Sequence, residues 1–251
     1  MKHNYSIFAF LTAICLSYFL FNGIVLYTVL CIIFLLFSVV IAFGAGLIQL
    51  NYFVKSINKG SNKGISFTFD DGPDSSITPQ ILDLLNKENV KATFFVIGKK
   101  IDPNLLIRIH SEGHTIGNHT FNHSRTIASM STTSLIKEIN ACAEKITEVI
   151  GKSPQFFRPP YGVTTPRFNR ALKQLKMQSI GWTLRSFDTV EKNETVLKKK
   201  IISKLKNGTI VLFHDTQTIT LNIVPDIIAH CKENGIKIVP LPTLINADPY
   251  V

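Results

Sequence analysis

Between Lys2 and Lys55 the sequence carries no Asp, Glu, Lys or Arg. A stretch that long without charge excludes an ordinary water-exposed surface, and it is too long for one membrane crossing, which takes about 20 apolar residues. Asn22-Gly23 interrupts it, so the pattern predicts two transmembrane helices, near 5–21 and 24–50. A cleaved leader would instead have an apolar core of about 7 to 15 residues and a small-residue cleavage site. The expectation is therefore a membrane anchor over residues 1–54, with the lipid bilayer as its partner.

Other things are scarce. The chain has four cysteines: Cys15 and Cys31 lie in the apolar run, and Cys142 and Cys231 show no C-x-x-C spacing, so neither a zinc knuckle nor a redox pair is signalled. No stretch interleaves basic and aromatic residues as a nucleic-acid groove does, which argues against nucleic acid as a partner. No internal repeat or low-complexity segment occurs, and nothing points to a protein partner. All 17 acidic residues, and every one of the 27 basic residues except Lys2, come after Val54. That basic remainder favours an anionic partner such as lipid headgroups or an acidic polymer without naming one.

Residues 55–63 are polar and rich in Gly, Ser and Asn, and read as a linker. Residues 64–246 have the length of one domain. Short apolar or β-rich runs occur at 64–69, 91–97, 114–117, 155–157, 178–184, 209–213 and 236–240. Helical patterns separate most of them: one opened by Thr78-Pro79, one over 131–150 stopping at Gly151, and others over 167–176, 194–206 and 221–234. Repeated strand-then-helix order predicts an α/β domain with parallel strands, as an open sheet or a barrel.

Chemistry in such a barrel gathers at the C-terminal ends of the strands. The strand-like run 64–69 ends in Asp70 and Asp71, followed by a Gly72-Pro73 turn able to aim both carboxylates into one pocket. Two like charges so close raise one pKa unless a cation holds them apart. The plain alternative is a turn or helix cap. His119 and His123 stand four apart, the spacing that puts two imidazoles on one side of a helical turn for a divalent metal, and a carboxylate from Asp70 or Asp71 would complete an open three-ligand site. In Arg158-Pro159-Pro160-Tyr161-Gly162 the prolines stiffen the backbone so that Tyr161 is held at a fixed point, and Arg158 can grip a carboxylate; a rigid turn is the plain alternative. His214 ends another strand and is a candidate general acid or base, with Asp188 placed to orient it. His114, at a strand start, reads as a structural hydrogen-bonding group, and His3, His110 and His230 as surface residues.

These segments in this order resemble the polysaccharide deacetylase family with the NodB homology domain, carbohydrate esterase family 4. The resemblance covers about residues 64–245 and rests on five motifs: TFDDGP from Thr68, HTFNH from His119, RPPYG from Arg158, the WTLRSFDT segment from Trp182, and LFH from Leu212. It implies a distorted (β/α)₇ barrel, in number equal to the seven strand-like runs. It implies Asp71, His119 and His123 as ligands of one divalent metal, usually zinc, and Asp70 as the catalytic base. It further implies His214 as the acid, Arg158 tethering Asp70, and a Tyr161 N–H, beside Pro160, for the oxyanion. The implied activity is removal of N-acetyl groups from an amino-sugar glycan such as peptidoglycan, a chitin-like oligomer or a lipid-linked sugar. In the fourth motif Arg185 and Thr189 stand where the family often has an Asp and a Trp. Two other functions compete: hydrolysis of a cyclic imide or ureide, and carbohydrate binding without catalysis. Lys2, Lys55, Lys59 and Lys63 flank the two spans and favour a cytoplasmic domain by charge. The usual substrates of the family lie outside the membrane, and the reading adopted is an extracytoplasmic domain.

Overall fold

The computed structural model describes residues 2–251. It opens with two apolar helices, α1 (Lys2–Leu20) and α2 (Gly23–Gly46), broken where Asn22 is extended and Gly23 takes φ 53°. Their hydroxyls fold back onto their own helices: Ser17, Thr28 and Ser38 each donate to the carbonyl four residues earlier. That satisfies the polar groups of an otherwise apolar surface internally. The two helices pack side by side, with Phe10 stacked on Phe37 at 4.1 Å, and most of their large apolar side chains are exposed. By length and composition both can cross a membrane.

The rest is a curled parallel sheet with helices outside it. In chain order the elements are β1 (Ser56–Ile57), β2 (Ile65–Asp70), α3 (Ile77–Lys87), β3 (Thr93–Val96), α4 (Pro103–Ser111), β4 (Thr115–Asn118), α5 (Thr132–Ile150), β5 (Phe156–Phe157), α6 (Pro166–Leu175), β6 (Gln178–Ile180), β7 (Leu184–Arg185), α7 (Glu194–Ile202), β8 (Thr209–His214), α8 (Thr218–Glu233) and α9 (Leu241–Ile245). Among the described residues the sheet has eight strands in the order β1-β6-β5-β4-β3-β2-β8-β7. The chain leaves β6 near one edge and enters β7 at the other, and so the short Gly181-Trp182-Thr183 link draws the two edges together. Thr183 Oγ1 donates to Asn58 O, just past β1, at 2.6 Å, while Thr183 N donates to Ile210 O of β8 at 3.0 Å. The result is a distorted barrel.

The seven expected runs map onto this sheet with two changes. The run 178–184 divides into β6 and β7, because 178–180 pair with β1 and β5 while 184–185 pair with β8 at the other side of the sheet. The run 236–240 is no strand: it touches β2 through one bridge, Ile65 to Ile238. Residues 56–57, within the expected linker, instead form the edge strand β1, in register with Ser179 and Ile180.

Burial on both faces explains the strands. In β2 and β8 every residue is buried, as parallel strands covered on both sides require. Ile65, Phe67 and Phe69 of β2, with Val211 and Phe213 of β8, pack outward in the core formed with α3 and α8. Ile210 and Leu212 belong to a second cluster with Phe95, Phe156, Ile180 and Trp182. Because side chains alternate along a strand, the positions opposite the outer core on β2 are Ser66, Thr68 and Asp70, and on β8 they run through Leu212 to His214. That alternation carries polar side chains up the inner face to the C-terminal end of the barrel.

Candidate metal-dependent hydrolase site

At that end the pocket is lined by Asp70, Asp71, His119, His123, Tyr161, Gly162, Trp182, Arg185, Thr189, Leu212 and His214, around a cavity of about 230 Å³. Asp70 is the last residue of β2. The swing that brings the next carboxylate to the same pocket lies in Asp71 itself, whose φ is 72°. The capping alternative belongs to a neighbour: Asp74 Oδ1 accepts from the backbone N–H groups of Ser76 and Ile77 at the start of α3, each at 2.9 Å.

His119 and His123 do not sit on a helical turn. They follow β4 on a loop in which Thr120 (φ 67°) and His123 (φ 52°) are left-handed, and this tight path, braced by His123 N donating to Thr120 Oγ1 at 3.1 Å, brings the rings to 4.8 Å between centroids. His119 Nδ1 donates to Arg158 O at 2.7 Å, so its Nε2 presents a lone pair. That Nε2 lies 3.4 Å from Asp71 Oδ1, and His123 Nε2 lies 3.2 Å from the same oxygen. Asp71 Oδ1 is buried without a hydrogen-bond partner. An orphaned carboxylate oxygen facing two imidazole nitrogens is a donor set for a divalent cation, and one ligand atom from each of the three residues falls within 4.8 Å of the others. Burial pushes the Asp71 carboxyl upward, but the His119 contact and the charges of His119, His123 and His214 outweigh it and hold Asp71 well below the usual carboxylate range. Burial pushes His123 down to about 4, so it stays neutral, as a metal ligand must.

Arg158 is fully buried inside the barrel and almost fully bonded. Nη1 donates to Asp70 Oδ1 at 2.7 Å and to Thr68 Oγ1 at 2.8 Å, Nη2 to Gly181 O at 2.9 Å and Nε to Ile180 O at 3.2 Å, with the guanidinium 4.1 Å from the Phe95 ring. Burial lowers its pKa and Asp70 opposes that. A charge so deep persists only when paired and hydrogen-bonded. Its consequence is a fixed Asp70, whose Oδ2 stands 3.9 Å from His119 Nε2.

His214 is held from behind. Nδ1 donates to Asp188 Oδ1 at 2.7 Å, while Asp188 Oδ2 accepts from His214 N at 2.7 Å and from Thr220 Oγ1 at 2.6 Å. Burial lowers the His214 pKa, yet the Asp188 hydrogen bond and charge, with Asp70 and Asp71, carry it above the ordinary value. Burial likewise raises Asp188, and its bond to His214 turns the net shift downward. His214 Nε2 faces the pocket, 3.9 Å from Asp71 Oδ2.

Tyr161 lines the pocket with φ 60°, and the turn's own hydrogen bonds run from Gly162 and Val163 to Pro159 and Pro160, not from the Tyr161 N–H. Pro160 is buried and does not line the pocket. Gly162 is obligatory, as a Cβ there would meet the Trp182 ring at 2.3 Å. Arg185 and Thr189 do line the pocket. Thr68 and Thr220, which hold Arg158 and Asp188, escaped sequence reasoning because a threonine in a strand or a first helical turn carries no signal of its partner. His114 is structural, its Nδ1 accepting from Ala92 N at 3.1 Å.

A carboxylate and two imidazoles beside a tethered carboxylate and a carboxylate-backed histidine, at the C-terminal end of a parallel barrel, define a metallohydrolase type of site. The family model for polysaccharide deacetylases matches residues 57–180. The peptidoglycan-N-acetylglucosamine deacetylase PgdA of Listeria monocytogenes is 33% identical over 186 residues, a match covering 73% of this chain and 39% of that protein. A peptidoglycan-N-acetylglucosamine deacetylase of Bacillus cereus is 33% identical over 192 residues, covering 74% of this chain and 89% of its own length. The solved structure of the Bc1960 peptidoglycan N-acetylglucosamine deacetylase superposes with a TM-score of 0.73 at 30% identity, covering 76% of this chain and 93% of that one. The chain belongs to the polysaccharide deacetylase family. It spans about two fifths of the Listeria relative's length.

Proposed function

We propose that this protein is a membrane-anchored, metal-dependent deacetylase that hydrolyses N-acetyl groups on the amino sugars of a glycan, polymeric or lipid-linked, releasing acetate. The observation that carries this is the orphaned Asp71 Oδ1 between two imidazole Nε2 atoms, next to an Asp70 fixed by Arg158. Asp71, His119 and His123 would hold the ion, for which zinc is the first choice. A divalent cation there supplies Lewis acidity, which makes water a stronger nucleophile and polarises the acyl oxygen.

The chain's own groups do the rest. Asp70 takes a proton from the attacking water as the new C–O bond forms. The Tyr161 N–H donates to the oxygen on which negative charge develops. His214, whose protonated form Asp188 favours, gives its Nε2 proton to the nitrogen as the C–N bond breaks. One water is consumed, acetate and a free amine leave, and proton exchange with solvent resets Asp70 and His214. The similar proteins are named for peptidoglycan, a polymer outside the cell membrane, and this supports anchorage by α1 and α2 with the domain on the outer face.

The test is acetate release from an N-acetylated glycan by the full chain in detergent, with metal stripped by a chelator and then restored. Activity should vanish and return with the metal, and His119→Ala/His123→Ala should lose both metal and activity. Full metal content in that double variant would remove the assignment.

A further inference from the structure

The anchor is built into the catalytic end of the barrel. The last turns of α2 lie on the domain: Ile41 and Ala45 pack against the cluster of Tyr52, Phe53, Phe157 and Phe168, and Ala45 O accepts from Thr164 N at 2.9 Å, two residues past pocket-lining Gly162. Just beyond α2, Gln49 Nε2 donates to the carbonyl of pocket-lining Trp182 at 3.3 Å, and Ile48 is buried with that same Trp182. The start of α1 returns to the same place, with Lys2 Nζ donating to Leu50 O at 2.6 Å and the His3 ring 4.7 Å from that of Phe53. The end of α2 therefore meets the domain beside the loops that shape the pocket, and the start of α1 packs on the segment that follows α2.

Length removes any slack. The part of α2 ahead of Ile41 is about 18 residues, or about 27 Å at 1.5 Å per residue, against a hydrocarbon thickness of about 30 Å. Once those residues span the bilayer, the contacts of Ile41, Ala45 and Gln49 lie at its surface, and the Thr164 and Trp182 side of the pocket lies there with them. The pocket also holds a cation with nothing to pair it: Arg185 stacks over Phe187 at 5.2 Å, its Nε is buried without a hydrogen-bond partner, and among the described residues no carboxylate meets it. Lys200 sits over the same Phe187 ring at 4.5 Å.

From this geometry, and resting on the deacetylase reading above, we infer that the substrate is membrane-borne: an N-acetylated amino sugar carried on a lipid phosphate or diphosphate, its sugar entering from the bilayer side and its phosphate meeting Arg185. A pocket whose wall is hydrogen-bonded to its own anchor is held beside the lipid surface, where a lipid-borne sugar reaches it directly, whereas a free glycan strand must thread between protein and headgroups.

The full chain is reconstituted with zinc in phospholipid vesicles, and acetate is measured from polyprenyl diphosphate N-acetylglucosamine in the same bilayer and from a soluble N-acetylated chito-oligosaccharide. The lipid-borne sugar should react at least about tenfold faster at equal total concentration, through confinement to one surface and fit to the pocket. A flexible Gly/Ser insert of roughly 20 residues between Gly46 and Leu47, long enough to lift the domain by tens of ångströms, combined with Ile41→Asp and His3→Asp to undo the docking of the hairpin on Tyr52 and Phe53, separates position from confinement. It should lower the lipid-substrate rate about fivefold or more and leave the oligosaccharide rate, which reports intact folding and chemistry, unchanged. Equal or faster turnover of the soluble sugar, or an insert without effect on the lipid substrate, overturns the inference while leaving the deacetylase reading in place. No acetate from either substrate by the metal-loaded protein overturns both.

Discussion

Asp70 and Asp71 are chain neighbours of one chemical type, and their surroundings divide the work between them. Asp71 faces His119 and His123, whereas Asp70 receives Arg158 Nη1 at 2.7 Å. Asp70→Asn keeps the shape and leaves the three ligands intact, so metal content should be unchanged while kcat falls by roughly 10²- to 10⁴-fold, the contribution of one general base. Metal analysis beside turnover checks this, and near-normal kcat in the loaded variant would make Asp70 structural. For His214 the relevant variable is pH. Its folded pKa is raised, chiefly by Asp188 working against burial, so the acid form, and the stability its charge contributes, are present at low pH and lost as pH rises through that raised value. Asp188→Asn should therefore move the alkaline limb of the kcat profile to lower pH as well as lower its maximum. These residues were legible because paired acids, a histidine pair and a strand-ending histidine are rare patterns. The geometry was less so: the i, i+4 histidines suggested a helix, and left-handed Thr120 and His123 make the approach instead.

Among the elements, the join of β2 to α3 depends on a group outside the chemistry. Asp215 follows β8, is buried, and accepts from Thr78 Oγ1 of α3 at 2.7 Å through Oδ2, while its Oδ1 has no partner. Gly72 passes so near that a Cβ would lie 2.0 Å from that carboxylate. Burial pushes the Asp215 carboxyl up to about 7. The folded protein thus holds a proton that the unfolded chain releases near pH 4, and the stability tied to it is full below about pH 4 and lost progressively as pH rises to about 7. Asp215→Asn supplies a permanently uncharged side chain of the same shape. Denaturant midpoints at pH 5 and pH 8 should show a smaller decline in the variant, by an amount on the order of 2 to 4 kcal/mol if the whole shift is expressed; parallel declines would mean that Asp215 titrates normally. Elements with strong periodicity could be read in advance, as α5 could, from its cap Ser131 to left-handed Gly151. Helix α4 has an equally good start in Asp102-Pro103, with Asp102 accepting from Leu105 N at 2.9 Å, yet it is only nine residues long. The strand-like run at 178–184 gives no hint of its division, since that comes from a change of partner strand, from β1 and β5 to β8, and those partners lie far away in the sequence.

For the whole molecule, the sequence pattern separates an apolar anchor from a polar domain at residues 55–63, whereas packing draws no such line. Ile48, Tyr52, Phe53 and Val54 are each at most 6% exposed and belong to the barrel's own clusters, and Ser56 and Ile57 add the edge strand whose neighbour Asn58 meets Thr183. Composition hid this because uncharged residues buried in a protein core and uncharged residues facing lipid read alike in a hydropathy window. A soluble fragment should therefore begin at Leu47. Starting at Gly64 deletes these four core side chains and uncovers the barrel residues they pack on, a loss of about 1.5 to 3 kcal/mol for each side chain's burial, which together approach the roughly 5 to 15 kcal/mol that holds a typical domain folded. The fragment from Leu47 should be soluble and unfold cooperatively, and the fragment from Gly64 should aggregate or melt tens of degrees lower. Differential scanning calorimetry of the two decides it: equal transitions would show that residues 47–63 only lie against the barrel, and a large gap would make them part of it.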